Sequence, residues 1–199
     1  ENMINAFKNK EDIHASTASK VFNVPISEVN REQRSNAKTV NFGIIYGVSA
    51  FGLSNQTDLS RTEAKALIDT YYATYPKLRA YIADQVDFAR DNGYVKTISD
   101  RRRYLKDINS RNAVVRGAAE RNAVNAPIQG SAADMTKKSM VALYENGIIP
   151  HIQIHDEVDI SVESPEKAEQ IISIMESAVE LKVPNKVDYE QGDSWGDIK

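Results

Sequence analysis

The stretch Arg34–Gly47, RSNAKTVNFGIIYG, decides how this chain is read. As a helix it sets Arg34, Lys38, Phe42 and Tyr46 at successive i+4 positions. Steps of four drift only about 40° around a 3.6-residue helix, so the four side chains form one slanted stripe, two cations leading and two aromatics following. Val40, Ile44 and Ile45 lie on its flank and dock the helix on a core. Gly43 and Gly47 each cost roughly 1 kcal/mol against Ala in a helix, which implies that something comes close to the backbone there. Positive charge followed by flat rings suits a ligand with phosphates at one end and a base at the other. The same spacing also describes a solvated cationic face followed by core aromatics, and periodicity alone does not separate the two.

On the N-terminal side, Asp12 to Phe22 reads as a short helix burying Ile13, Ala18, Val21 and Phe22. His14 sits near its start, where the helix dipole favours anions. Pro25 to Val29 is a connector, and Asn30 with Gln33 makes a capping pair for the next helix. After Gly47 the run SAFGLSNQ turns the chain. Ser60 and Glu63 form a capping box for a helix reaching Tyr75; Pro76 starts another that ends at Asn92, with Gly93 as its stop. Leu67, Ile68, Tyr71, Tyr72, Leu78, Tyr81, Ile82 and Val86 on this pair are packing residues.

Further along, Tyr94 to Ile98 alternates as a strand does, before the basic turn Asp100-Arg101-Arg102-Arg103-Tyr104. A long helix runs from Arg111 to Tyr144, bent near Asn125-Ala126-Pro127 because a proline inside a helix breaks the ladder. Arg121, Asn125 and Gln129 are an i+4 row of polar groups among alanines, which is either an exposed face or a contact surface. In His151–Glu163, HIQIHDEVDISVE, residues Ile152, Ile154, Val158, Ile160 and Val162 share one parity, the mark of strands with one buried face. Asp156 falls on that same parity, and a buried unpaired carboxylate is costly. A tight turn at His155-Asp156, or a bound cation, removes the conflict. Ser164-Pro165-Glu166 starts a helix whose buried face is Ile171, Ile172, Ile174, Met175 and Val179, and Lys186 to Glu190 reads as a last strand.

The bulk properties narrow the class. A chain of 199 residues with 41% apolar and 27% charged residues can bury one sizeable core, or one domain with an appended lobe. It contains no apolar run near the length of a membrane span and no secretion signal, so no membrane partner is expected. With no cysteine there are no disulfides or thiolate metal sites. The net charge of −3 excludes a wholly basic nucleic-acid binder. Yet residues 101–121 hold seven Lys/Arg against two Asp/Glu, a local excess of five.

The pattern R-x-x-x-K-x-x-x-[FY]-G-x-x-Y-G, met from Arg34 to Gly47, resembles the fingers-helix motif of family A DNA polymerases, the bacterial DNA polymerase I type. Asp12, Ile13, His14, Thr17 and Ala18 match a second family segment, whose His approaches the nucleotide phosphates. The run ERNAVNAPIQGSAAD resembles the segment whose Arg, Asn and Gln meet primer and template, here Arg121, Asn125 and Gln129. His155, Asp156 and Glu157 match the H-D-E motif, in which the Asp is a metal ligand. Arg101, Arg102 and Arg103 resemble a T-x-x-G-R-R-R-x-x-P hairpin near the duplex, with Asp100 standing where that pattern has Gly and Lys106 where it has Pro. The tail from Gly192 to Trp195 resembles the family's terminal G-x-x-W, which implies a natural C-terminus.

The resemblance implies a mostly helical α+β fold, fingers helices plus an incomplete antiparallel palm sheet of a right-hand polymerase. Residues 1–93 would be the fingers-type region with its nucleotide-binding helix at 31–47. Residues 94–199 would be a partial palm with the basic hairpin, the long bent helix and the HDE hairpin. Implied substrates are dNTPs and primer–template DNA, with two Mg²⁺ ions in the complete enzyme and Asp156 as a metal ligand. His14, Arg34, Lys38, Phe42 and Tyr46 would hold the nucleotide, and Asp156, Lys38 and Glu157 would carry the catalysis. Tyr46, Gly47, Arg101, Arg102, Arg103, Arg121, Asn125, Gln129 and His155 would meet DNA. The family's upstream D-Y-S-x-I-E-L-R segment, which supplies a second aspartate, is not in this sequence, and nothing in it resembles a thumb or a proofreading domain. The first residue is Glu1 rather than Met. The expectation is therefore a piece of a longer monomeric polymerase, completed by the upstream palm strand and thumb of the same chain and inactive alone. It would be cytoplasmic and nucleoid-associated in a bacterium, an organellar or viral origin staying open. The competing reading is a non-catalytic nucleic-acid-binding or nucleotide-binding module derived from such an enzyme.

Overall fold

The computed structural model describes residues 2–197. Local signals set most helix ends. After α1 (Asn2–Lys8), α2 (Ile13–Phe22) is capped by Asp12, whose Oδ1 accepts from the N–H groups of His14 and Ala15 at 2.9 and 3.1 Å. A 3₁₀ turn, Ile26–Glu28, occupies the connector. Helix α3 (Arg31–Ile45) opens on a capping box: Gln33 N–H donates to Asn30 Oδ1 at 2.8 Å, and Asn30 N–H to Gln33 Oε1 at 3.0 Å. Such a cap is worth about 1 kcal/mol. The helix ends at Ile45 rather than running to residue 47. Tyr46 sits at φ −89°, ψ 1°, and Gly47 at φ +68°, which no right-handed helix continues through.

Where a plain turn was expected, the short helix α4 (Ala50–Ser54) forms, nucleated by Ser49 Oγ accepting from Gly52 N–H at 3.1 Å. Helices α5 (Arg61–Thr74) and α6 (Pro76–Asn92) follow the sequence signals closely, from the Ser60–Glu63 capping box to Gly93 at φ +75°. Strands β1 (Tyr94–Lys96) and β2 (Arg102–Tyr104) pair antiparallel, Tyr94 opposite Tyr104 and Lys96 opposite Arg102. The first is shorter than the alternation to Ile98 suggested, because Thr97 N–H and O are taken up by the turn, bonding to Arg101 O and Asp100 N–H. Helix α7 (Ala113–Glu145) is assigned without interruption through Pro127, so the proline removes one donor but does not end the helix. Strands β3 (Ile152–Ile154) and β4 (Glu157–Asp159) form a second antiparallel pair, followed by α8 (Pro165–Ser177) with Ser164 as its cap.

The described residues are mostly helical with two short antiparallel pairs, an α+β chain. No helix among them is long and apolar enough to cross a membrane. The last strand expected at 186–190 is not formed. Val187 N–H donates instead to Glu176 Oε1 at 3.1 Å and Lys186 Nζ to Oε2 at 2.7 Å, so α8 takes the groups a neighbouring strand would have used.

The chain divides into two compact units, residues 1–131 and 132–199. The division falls within α7 and follows packing. The expected boundary between a fingers-type region and a partial palm, at 93/94, lies inside the first of these units. The first unit has two cores. Val40, Ile44, Leu53, Ala64, Leu67, Tyr71 and Tyr75 tie α3, α4 and α5 together; Ala89, Val95, Leu105, Ile108, Ala119 and Ala123 fix β1 against α6 and α7. Full burial of a side chain the size of Ile44 or Leu53 stabilises by about 1.5–3 kcal/mol. The second unit is built on Leu143, Ile148 and Ile171, with Ile160, Val162, Ile174 and Met175 packed around them. Ile152, expected on the buried face, is 44% exposed.

Candidate functional site

Burial on α3 falls on Ala37, Val40, Asn41 and Ile44, which leaves Arg34, Lys38 and Phe42 on the opposite, open side. The stripe read from spacing therefore exists, and it faces away from the core. α2 lies along α3 and brings His14 to it: the imidazole and the Phe42 ring are 5.7 Å apart, tilted at 45°. Arg34 Nε donates to Asp12 Oδ2 at 2.7 Å, so the residue that caps α2 also fixes the guanidinium. No described residue takes the Nη groups of Arg34. Partial burial works against charge on Asp12. The N–H of Ala15, the Arg34 side chain and the N–H of His14 together outweigh it and hold the carboxyl below the usual range. Burial pushes His14 below the usual imidazole value; Asp12 opposes this, and the charges of Arg34 and Lys38 add to it. That coupling is the electrostatic signature of three basic groups sharing one face.

Beyond Phe42 the same side opens on a cleft of about 630 Å³ lined by Lys38, Phe42, Tyr46, Gly47 and Arg121 among others. Phe42 and Tyr46 are 48% and 51% exposed, unusually open for aromatics on a packed helix. Tyr46 OH accepts from Gln129 Nε2 at 2.9 Å, which joins two of the expected DNA-facing residues within the first unit. The glycines answer to the chain's own packing. A Cβ on Gly43 would stand 2.6 Å from Val48 Cγ1, and one on Gly47 2.7 Å from Arg121 Cγ. Asn125, the middle member of the polar row, has its Nδ2 buried with no hydrogen-bond partner among the described residues.

In the basic hairpin Arg101, Arg102 and Arg103 are all exposed, but not alike. The Arg102 guanidinium lies over the Tyr94 ring, 4.6 Å from its centre, and Tyr94 in turn meets Phe88 and Tyr104 edge-on at 5.7 and 5.8 Å. Arg103 stands opposite the buried Val95. Asp100 takes φ +59° in the turn and receives Lys96 Nζ at 3.0 Å. In the other hairpin a two-residue turn, His155-Asp156, separates Ile154 from its partner Glu157, with His155 at φ +56°. The turn lifts Asp156 off the apolar parity and exposes it, which removes the conflict noted in the sequence. Neither Asp156 nor Glu157 makes a side-chain hydrogen bond or ion pair among the described residues.

Comparison with known proteins now bears on this geometry. Residues 1–197 match the description DNA polymerase family A. The chain belongs to DNA polymerase family A. It is 47% identical over 210 aligned residues to DNA polymerase I of Caldicellulosiruptor bescii, covering 100% of this chain and 24% of that protein. DNA polymerase I of Bacillus subtilis (strain 168) is 44% identical with the same coverage. Among solved structures, the POL domain of Pol1 from M. smegmatis in complex with DNA primer-template and dNTP aligns with a TM-score of 0.84 at 42% identity, covering 92% of this chain and 34% of that one. The chain thus spans about a quarter of the length of the relatives it matches.

Within this family A chain the sequence reading brought together His14, Arg34, Lys38, Phe42, Tyr46 and Gly47, and the first unit does so too. Asn41 was missed. It is a polar residue on the buried period of α3, and that mismatch was the signal available. Family A polymerases depend on divalent metal ions. An exposed carboxylate with no protein partner, next to a second one, offers the hard oxygens that Mg²⁺ takes when phosphates and water complete its shell. No group of three or more His, Cys, Asp or Glu side chains converges among the described residues. The fit is therefore to one part of a shell, supplied by Asp156.

Proposed function

We propose that these residues are the nucleotide-holding region and one metal-binding carboxylate of a bacterial DNA polymerase that adds dNTPs to a primer 3′ end. The observation that supports this best is the open face shared by His14, Arg34, Lys38 and Phe42, leading into the cleft beside Tyr46 and Arg121. The solved relative's complex with primer-template and dNTP supports the ligand class.

In this reading residues 1–93 are a fingers-type region with the nucleotide-binding helix, and residues 94–199 a partial palm with the basic hairpin, the long helix and Asp156. The primer 3′ hydroxyl attacks the α-phosphorus, the bond to the β-phosphate oxygen breaks, and pyrophosphate leaves. Phosphoryl transfer asks the protein mainly to position reactants and stabilise charge. Arg34 offers its Nη groups to the triphosphate while Asp12 holds Nε. Lys38 neutralises the leaving phosphates and donates the proton that pyrophosphate takes up. His14 donates to a phosphate oxygen, Phe42 packs beside the sugar and base, and Tyr46 with Gly47 lies against the template. Arg101, Arg102, Arg103, Arg121, Asn125, Gln129 and His155 meet the duplex. Phosphate contacts position DNA without reading it, as an enzyme indifferent to sequence requires. Asp156, assisted by Glu157, would hold one of two Mg²⁺ ions, and such ions when bound stabilise the charge developing on the attacking and leaving oxygens.

With Asp156 the one metal-holding aspartate that this reading names, the 199-residue chain by itself binds nucleotide and DNA but does not extend a primer. Template-dependent incorporation by the purified chain would overturn that. Positively, in a longer polymerase that includes these residues, Lys38→Ala lowers the single-turnover incorporation rate by about 10²–10⁴-fold, the range of a lost general acid. Primer–template affinity changes less than about threefold. Equal losses in rate and DNA affinity would remove Lys38 from the nucleotide site.

A further inference from the structure

Asn41 faces the interior of α3 beside Val40 and Ile44 and is only 9% exposed. An aliphatic side chain would dock the helix there equally well. The amide instead joins two settings. On one side Nδ2 donates to His14 Nδ1 at 3.0 Å. On the other, the amide meets Thr17 Oγ1 at 3.3 and 3.4 Å, and that hydroxyl meets Tyr75 OH at 3.2 Å. Thr17 is fully buried and Tyr75 is 6% exposed, so the far end of the chain of hydrogen bonds is anchored in the core. Buried polar groups linked this way stay in place, because moving the amide out of the network strands donors and acceptors.

His14 lies at the near end, half-buried. A neutral imidazole has one N–H and one lone pair, and the partner of one ring nitrogen decides which the other presents. With Nδ1 accepting from Asn41, the proton stands on Nε2, which makes no hydrogen bond among the described residues. A lone pair at that position would repel an anion; an N–H attracts one.

We infer that Asn41 is a positioning residue that locks His14 as the Nε2–H tautomer, so that the ring turns a donor toward the phosphates of a nucleoside triphosphate. The inference rests on the nucleotide reading of this face. Thr17 and Tyr75 act through Asn41 by holding its amide against the ring.

The test uses the 199-residue chain with ¹⁵N-labelled histidine, at a pH where the imidazole is neutral. His14→Ala identifies the His14 signals among the three histidines. In the wild type, Nε2 has the shift of a protonated nitrogen and Nδ1 that of an unprotonated one. Asn41→Leu moves both toward the mixture of free imidazole, and Asn41→Asp, whose carboxylate only accepts, moves the proton to Nδ1. Thr17→Val gives the Asn41→Leu result in weaker form while leaving Asn41 in place. Affinity for dATP falls by about 10-fold in Asn41→Asp, the value of one charge-assisted hydrogen bond. In a His14→Ala background it changes less than twofold. A wild-type proton on Nδ1, or the same 10-fold loss without His14, overturns the inference. A wild-type chain that binds no dATP overturns the nucleotide reading and the purpose given to Asn41. The imidazole spectrum needs no ligand, and separates that failure from failure of the Asn41–His14 link.

Discussion

The two β-hairpins are built alike and finished differently. Each pairs strands of three residues, each turns through a non-glycine residue at positive φ, and each carries an aspartate in the turn. In the 94–104 hairpin Asp100 has a partner in Lys96, Val95 is sealed in a core, and Arg102, Tyr94, Tyr104 and Phe88 stack. In the 152–159 hairpin Asp156 has no described partner, and Ile152 is nearly half exposed. The first hairpin satisfies itself. The second holds a carboxylate that has no partner among the described residues, as the metal-binding role proposed for Asp156 requires.

The sharpest way to break that contrast is Asp156→Asn. In a longer polymerase that includes these residues, turnover falls by on the order of 10³-fold or more, as loss of a metal ligand in two-metal chemistry demands. Stability of the 199-residue chain to urea changes by less than about 0.5 kcal/mol, the usual bound for a surface substitution away from special contacts. A clear loss of stability would mean that Asp156 serves the fold, and that the two hairpins are not different in kind.

A paired truncation probes the packing side. Tyr94→Ala removes two aromatic contacts and the ring under Arg102, each worth about 0.5–1.5 kcal/mol, and is expected to cost about 2–3 kcal/mol. Ile152→Ala, in the exposed strand of the other hairpin, costs under about 1 kcal/mol because little area returns to water. Urea denaturation of both variants measures the difference. Equal costs would show that the 152–159 hairpin is as well supported as its counterpart.

Legibility followed the range of the interaction. Caps and stops are written within four residues, so Asn30–Gln33, Ser60–Glu63, Pro76 with Gly93, and Ser164 all stand where the sequence put them. The stripe from Arg34 to Phe42 was legible because helical spacing alone aligns it. Long-range partners were not. Gly43 and Gly47 signalled close approach, but only the fold names Val48 and Arg121 as the neighbours. A five-residue helix such as α4 is too short for periodicity to reveal. The expected strand at 186–190 failed because a strand needs a partner, and Glu176 took its donor first. Asn41 drew no notice in the sequence, because only the fold brings Thr17 and His14 beside it.

Asp100 offers the finest test of the contrast, since it is the turn aspartate of the other hairpin and has the salt bridge that Asp156 lacks among the described residues. The family pattern has Gly here, and φ +59° explains why: an L side chain is strained in the left-handed region, Asp less than most. Three small terms compete in Asp100→Gly. Relief of backbone strain gains up to about 1 kcal/mol, the added freedom of glycine in the unfolded chain loses about 0.4–1 kcal/mol, and the bridge to Lys96 is worth about 0–1 kcal/mol at most. That bridge is open to solvent on the Asp100 side, 82% exposed against 39% for Lys96, so screening places it near the bottom of its range. With the bridge near zero the sum runs from about −1 to about +0.6 kcal/mol, and urea denaturation should detect a change of no more than about 1 kcal/mol. Charge tells a different story. Removing one negative group beside Arg101, Arg102 and Arg103 and releasing Lys96 should tighten binding to a primer–template duplex about two- to fivefold at low salt, with the gain fading as salt rises. A variant whose duplex affinity is unchanged at low salt would mean that Lys96 already cancels Asp100 for any phosphate nearby. The paired aspartate would then be electrically silent, in contrast to Asp156, which has no partner among the described residues.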